Sequence, residues 1–326
     1  TTIPALLDAG IVVELLDRKL LFVTGKGGTG KTTVAASLAL LAAGQGRRTL
    51  VCEVDAKGNL ADFYETGPPA FEEREISPGL WAMSMDTEAS LRQYLSLQLK
   101  LGLVARIGPL AKMFDFVASA APGVKEIVTV GKLCWEVREG HYDTVVVDAS
   151  ASGHIVSQLA APQAINQLVQ VGLVRQQTGW MLDILGDPAV TGLVVVATPA
   201  EMPVTETLEL TARVANETNV DLAAVVVNRV LPELFGRGEE EVFGRLEHPD
   251  AVAVLDAALG SSSQPLLDAA RLTVTTRRNR TAHLERLRAA IDPGIPMLYV
   301  PYLFFRSHGL RATRQVANAL SAELGY

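Results

Sequence analysis

Gly25-Lys26-Gly27-Gly28-Thr29-Gly30-Lys31-Thr32-Thr33 is the segment of this chain whose residue types and spacing are best suited to chemistry. Glycines at such spacing let the backbone curl so that successive N–H groups point inward at phosphate oxygens. A helix opening near Thr33 adds its positive end to the same spot. In that arrangement Lys31 reaches the β- and γ-phosphates, and the Thr32 hydroxyl ligates Mg²⁺. Lys26 stands five positions before Lys31, too close to fold back easily onto its own γ-phosphate. It is placed to reach across an interface to a partner's nucleotide, as an arginine finger does in trans. The bland alternative is a glycine-rich turn with two solvated lysines. The full consensus and its setting between an apolar run and a helical pattern argue against it.

Two acids extend this chemistry. Asp55 follows the apolar run Thr49–Val54. A carboxylate at the C-terminal end of a strand faces the ligand crevice, where it can orient the water that attacks the γ-phosphorus. Its bland role is a helix N-cap, which Asp62 fits better. Asp148 ends Tyr142-Asp143-Thr144-Val145-Val146-Val147, a Walker-B-like run, and is expected to hold Mg²⁺ directly or through water. Gly153 would let the following loop swing when the γ-phosphate leaves. His154 is a candidate phosphate sensor, although a lone histidine opening a helix is more often a capping or packing residue.

The elements that must position these residues are readable as short apolar runs typical of buried parallel strands: Leu20–Val23, Thr49–Val54, Thr144–Val147, Leu193–Ala197, Ala223–Val227 and Met297–Val300, with Trp81–Met85 as a further candidate. Helical patterns separate most of them, which implies an α/β fold with a mostly parallel sheet flanked by helices; with the phosphate-binding motif at 25–33 the chain reads as a P-loop NTPase spanning 1–326 as one domain. One helix follows Gly30 and runs from Thr33 to Ala43. Another starts near Glu201 between Pro199 and Pro203 and runs to about Thr211. Two apolar helical stretches, about 88–137 and 155–190, exceed what a sheet needs for cover. The first carries Leu91, Leu95, Leu99, Leu103, Met113, Phe114, Phe116 and Val117. They read as an inserted helical subdomain offering an apolar groove to a client, with ordinary core helices as the alternative. Gly236 to Asp250 reads as a solvated loop or short helix, and Arg277 to Arg288 as a surface helix face.

Composition bounds the partners. The 326 residues are 48% hydrophobic and 20% charged, with a net charge of −7. No basic tract is present, so no nucleic-acid partner is expected. The only cysteines are Cys52, in an apolar run, and Cys134, in a helical pattern; no CxxC suggests a zinc site. Without a visible signal sequence or a membrane-spanning apolar stretch, the expected compartment is the cytosol, with a peripheral place at a membrane compatible with it.

Taken together, the motifs resemble those of the ArsA-type anion-transporting ATPase family, which includes the arsenite-pump ATPase and the ATPase that targets tail-anchored membrane proteins. The loop with its extra lysine is shared with the partition and division-site ATPases ParA and MinD and with nitrogenase iron protein. Asp55…Asn59-Leu60…Asp62 resembles the family's first switch, and Asp148…Gly153-His154 its second. Val225-Val226-Val227-Asn228-Arg229 resembles its adenine-reading strand end, with Asn228 at the base-contacting position. Val300-Pro301-Tyr302…Gly309-Leu310 resembles the loop beside the purine. The resemblance implies an ATP- and Mg²⁺-dependent hydrolase working as a dimer with a second copy or a paired homologue, coupled to a hydrophobic client or a membrane-associated partner. An anion-pump motor and a ParA/MinD-like positioning switch are the competing readings. Departures from the pattern are Ala56 and Lys57 for proline and alanine in the first switch, and Ala149 and Ala151 for threonine and proline in the second. The zinc-binding cysteine pair of the tail-anchor branch is absent, and the two cysteines match no soft-metal motif of the arsenite branch.

Overall fold

Strands in this chain are set by runs rich in Val and Leu that bury both faces of a sheet, so alternate residues feed two separate cores. The computed structural model describes residues 14–55, 59–99, 123–169, 171–232, 237–304 and 309–326; at 59, 94–99, 124, 173 and 237–240 it describes the backbone alone. Ala56, Lys57, Gly58, the Asn59, Leu95 and Leu99 side chains, Leu103, Met113, Phe114, Phe116, Val117 and Gly236 therefore lie outside the described residues.

The described strands are β1 (Leu20–Gly25), β2 (Thr49–Glu53), β3 (Arg74–Ser77), β4 (Leu80–Ser84), β5 (Thr144–Asp148), β6 (Thr191–Ala197), β7 (Leu222–Val230) and β8 (Met297–Pro301). They form one sheet in the order β3-β4-β2-β5-β1-β6-β7-β8. Every neighbouring pair is parallel except β3 with β4. The polar edge strand β3 has no counterpart in the sequence reading, because Arg74-Glu75-Ile76-Ser77 carries no apolar run and is largely exposed.

The helices are α1 (Lys31–Gly44), α2 (Asn59–Tyr64), α3 (Thr87–Leu99), α4 (Val124–Glu139), α5 (Ser152–Leu168), α6 (Leu173–Gly186), α7 (Glu201–Glu217), α8 (Arg237–Leu246), α9 (Pro249–Leu259), α10 (Gln264–Ala290) and α11 (Leu310–Leu324). On one face of the sheet Leu21, Val23, Val51, Val146, Val194 and Val196 pack against Val34 and Leu38 of α1 and Val316 and Leu320 of α11. On the other, Leu20, Phe22, Leu50, Cys52, Val145, Val147 and Leu193 meet Leu133 of α4, Ile155 and Leu159 of α5, and Met181 and Leu185 of α6. A smaller cluster sets Val204 of α7 and Leu287 of α10 against Val225 and Val227 of β7. Each fully buried side chain of this kind is worth about 1.5–3 kcal/mol. The buried sides of α4, α5 and α6 thus cover the sheet, while their outer sides, with α3, line a cavity of about 540 Å³.

Two helices differ from the sequence reading. α1 begins at Lys31, two residues earlier than the apolar pattern marks, because its first turn is the phosphate loop's exit and needs no apolar residue. α7 continues past Thr211 to Glu217, since Val214 is still buried against the sheet.

Candidate active site

The strand order brings the candidate residues to one end of the sheet. β1 lies between β5 and β6, and the chain leaves β1 for β2 on the β5 side before returning to β6 on the other. That reversal opens a crevice at the C-terminal ends of the strands. Val23 of β1 and Glu53 of β2 are both in register with Asp148 of β5. The loop after β1, Asp55 after β2 and the loop after β5 therefore converge.

Residues 25–33 form a curled loop between β1 and α1. Gly25 has φ 148°, and a Cβ there would lie 2.2 Å from the Val196 carbonyl oxygen of the adjacent strand. Gly30 has φ 97°, and its Cβ would meet Asn228 Nδ2 at 2.3 Å. Neither position accepts a side chain. Gly28 is also left-handed, with φ 84°, while Gly27 and Gly28 are exposed. The turn is closed by the Lys26 carbonyl, which accepts from Thr29 Oγ1 at 2.9 Å and from the Thr29 N–H at 3.3 Å. Thr33 follows in the first turn of α1.

Thr32 Oγ1 donates to Asp148 Oδ2 at 2.7 Å. Asp148 Oδ1 is buried and lacks a hydrogen-bond partner. The Asp148 carboxyl is pushed up to about 6, first by burial. The Thr32 hydrogen bond and the Lys31 charge pull it down; the charges of Glu53 and Asp55 push it up. A half-satisfied buried carboxylate beside a threonine hydroxyl, close enough to Lys31 to feel its charge, is a hard-oxygen donor set that suits Mg²⁺. The loop behind Asp148 is tied down on both sides: Thr24 Oγ1 donates to the Ser150 carbonyl at 2.8 Å, and Ser150 Oγ to Gln158 Oε1 at 2.9 Å.

The remaining predicted residues fall in the same crevice or at its rim. Asp55 is exposed just past β2. Gly153 and His154 lie exposed in the first turn of α5, and a Cβ at Gly153 would meet nothing within 4 Å, so in this conformation the position does not demand glycine. Asn228 is 6% exposed. Its Nδ2 donates to the Thr29 carbonyl at 2.8 Å and its Oδ1 accepts from the Arg229 N–H, so it braces the phosphate loop from β7. Arg229 itself is left-handed, at φ 59°. Pro301 is exposed at the end of β8, followed by Tyr302, whose ring lies 5.1 Å from Phe304 and under the Arg280 guanidinium at 5.9 Å.

Two acids at this end went unnoticed in the sequence. Glu53 is 1% exposed and pushes on Asp148; its signal was a charge inside an apolar run. Glu206 of α7 forms an ion pair with the Lys26 ammonium, a partner 180 residues away that no local pattern marks.

Among the described residues no three His, Cys, Asp or Glu side chains cluster as a metal site. Both cysteines are buried, and burial pushes both thiols up.

Comparison with known proteins agrees with this geometry. The family model for anion-transporting ATPases matches residues 18–183 and 174–241, which include the phosphate loop, both acids and Asn228. The chain is similar to the ATPase BagA of Mycobacterium tuberculosis, at 32% identity over 66% of each chain. It is similar to the ATPase GET3 of Chaetomium globosum, at 30% identity over 52% of each. A protein of Halobacterium salinarum named as an arsenical pump-driving ATPase is 25% identical over 70% of this chain and 39% of its own length. The matched stretches thus span two thirds or less of these relatives. The chain belongs to the anion-transporting ATPase family, a family of ATP-hydrolysing enzymes.

Proposed function

We propose that this chain hydrolyses Mg-ATP as a nucleotide-switched dimer and couples the switch to a client held on its helical side. The observation that carries the reading is the Thr32–Asp148 hydrogen bond in the crevice of the phosphate loop, with the second Asp148 oxygen buried and unpartnered. Backbone N–H groups of residues 27–32 cradle the phosphates, and Lys31 neutralises their charge. Thr32 and Asp148 hold Mg²⁺. The ion, when bound, withdraws charge from the phosphate oxygens. Asp55 orients the attacking water, and Lys26 acts on the nucleotide of the partner subunit. Asn228 and Pro301 flank the base. Loss of the γ-phosphate is read out at the two switches that follow Asp55 and Asp148, the first of which begins outside the described residues, and the second continues directly into α5, one wall of the cavity.

The client side is the region of α3 to α6, a helical subdomain on the single domain. Its cavity is lined by Leu91, Ile127, Trp135, Trp180 and Met181 among others, which suits an apolar segment of a client. No described helix is long and apolar enough to cross a membrane. The pump-motor reading is favoured by the name of the haloarchaeal relative, but the burial of Cys52 and Cys134 leaves no accessible thiol for a metalloid.

Mixing Lys26→Ala with Asp55→Asn subunits tests the dimer. Each variant alone is inactive, and a mixture places one intact site between two subunits, so hydrolysis returns. A mixture that stays inactive, with both variants folded and pairing, removes the in-trans role of Lys26. Hydrolysis stimulated by arsenite in the wild type would favour the pump motor instead.

A further inference from the structure

The structure assigns a role to Glu206, which belongs to none of the motifs above: we propose that it is a positioning residue that holds the Lys26 ammonium inside its own chain and sets how readily Lys26 is released to a partner's nucleotide. The proposal rests on the in-trans reading of Lys26. Glu206 Oε1 pairs with Lys26 Nζ, and Glu206 Oε2 lies 3.5 Å from Ser152 Oγ, which donates to it. One carboxylate on α7 thus joins the phosphate loop to the start of α5, four residues beyond Asp148.

The geometry separates the fixed part of Lys26 from the movable part. Its backbone is closed into a turn by Thr29. Its side chain alone is left to choose an anion, and its reach allows one anion at a time. Within the chain that anion is Glu206. Across a dimer interface it is phosphate, which carries more charge and accepts more hydrogen bonds. Both side chains of the pair are 29% exposed. A partly exposed pair adds on the order of fivefold to the equilibrium that favours it, which is enough to bias Lys26 inward and too little to trap it there. Glu206 therefore acts as a threshold: without a phosphate in the partner it retains Lys26, and with one it yields. The Ser152 contact makes the threshold sensitive to the loop after β5. When that loop moves, the carboxylate loses a donor and its hold on Lys26 changes.

The test uses the full chain and Glu206→Gln, which keeps the shape and the Ser152 contact and removes the charge. Pairing is measured by sedimentation against protein concentration in Mg-ATP, and hydrolysis by phosphate release over the same range. The expected result is a pairing midpoint about fivefold lower in protein concentration than in the wild type, with faster hydrolysis where the wild type is mostly unpaired. Glu206→Asp, which retains the charge on a shorter arm, restores part of the wild-type midpoint. Lys26→Ala with Glu206→Gln pairs like Lys26→Ala alone, because without the ammonium the carboxylate has nothing to hold. A midpoint that is unchanged or higher in Glu206→Gln, with an unaltered melting profile, overturns the proposal. If Lys26→Ala abolishes hydrolysis while Glu206→Gln shifts nothing, the latch fails and the in-trans reading stands. If Lys26→Ala pairs and hydrolyses normally, or the wild type never pairs in Mg-ATP, the in-trans reading fails and the latch with it.

Discussion

Two lysines of this chain are paired with glutamate in opposite circumstances. Lys132, on α4, is 5% exposed and sits between Glu136, at 2%, and Glu73. Glu136 has His141 Nδ1 2.7 Å from its other oxygen, and the ammonium lies over the rings of Trp135 and Phe71. Lys26 has one carboxylate partner among the described residues, and both members of that pair are partly open to water. A buried pair cannot open without stranding a charge in low dielectric, whereas an open pair exchanges its partner for water or phosphate at little cost. The contrast separates a lysine that fixes a helix from a lysine that is free to act. It also sets a helical side held by buried charges beside a phosphate loop whose backbone is closed by Thr29 and whose Lys26 side chain alone can change partner.

The largest effect that bears on this contrast is expected at Lys132. Replacing it with Met leaves Glu136 buried with only His141 beside it, and the fold loses about 3–5 kcal/mol. Urea unfolding of the nucleotide-free protein measures this. A loss below about 1 kcal/mol would mean that the network is wetter than its burial indicates, and the comparison with Lys26 would collapse. Turnover per folded molecule is expected to persist, since Lys132 is on the helical side.

Lys31→Ala makes the opposite separation. Removing a charge aimed at the phosphates costs about 10²–10³-fold in turnover, with little change in the urea midpoint. Phosphate release at saturating ATP reads the first quantity. Retention of activity within tenfold would detach the loop from the chemistry.

The parts of the molecule that could be read in sequence follow the same division between local and distant causes. The parallel strands were legible because burial on both faces forces an unbroken apolar run, as in Val145-Val146-Val147. The phosphate loop was legible because its glycines answer to the loop's own backbone, which is left-handed at Gly28 and Gly30, whereas the Val196 and Asn228 atoms that also bar a side chain at Gly25 and Gly30 lie far along the chain and leave no local mark. The strand β3 was hidden because its identity comes from pairing with β4, not from its own composition. Gly236 to Asp250, legible as a solvated loop or short helix, and Arg277 to Arg288, legible as a surface helix face, fall among the described residues on α8, the start of α9 and α10, while 251–276 gave no reading of its own. α9 has no buried residue, so burial gave the pattern no phase. Glu206 was invisible because a carboxylate in the first half of an amphipathic helix looks like any solvated charge until tertiary structure sets it against Lys26.

Asp148 offers a third measure, set by pH. Its carboxyl is raised from 3.8 to about 6, chiefly by burial. A raised acid stabilises the fold only when protonated, so the contribution is full below pH 3.8 and is lost as pH rises through 6. A shift of about 2 units corresponds to about 3 kcal/mol. The nucleotide-free wild type is therefore expected to gain stability relative to Asp148→Asn as pH falls from 7 to 4, whatever the other carboxylates do to both. A difference that stays flat over that window would place the carboxylate in water. If Asp148 holds Mg²⁺ as proposed, protons and the ion compete for the same oxygens, and protection by Mg-ATP is expected to weaken below about pH 6.

The smallest effect on stability belongs to Glu206→Gln. The pair it breaks is partly open to water, at 29% exposure on each side, and exposed ion pairs are worth roughly 0.2–1 kcal/mol. Its unfolding midpoint in the absence of nucleotide should lie within that margin of the wild type, well short of the loss at Lys132. A larger loss would mean that Glu206 holds α7 against the phosphate loop as a structural tie, and Lys26 would then be fixed as Lys132 is. A small loss together with a shifted pairing midpoint would show that the same carboxylate contributes little to the fold and much to the choice Lys26 makes between its own chain and its partner.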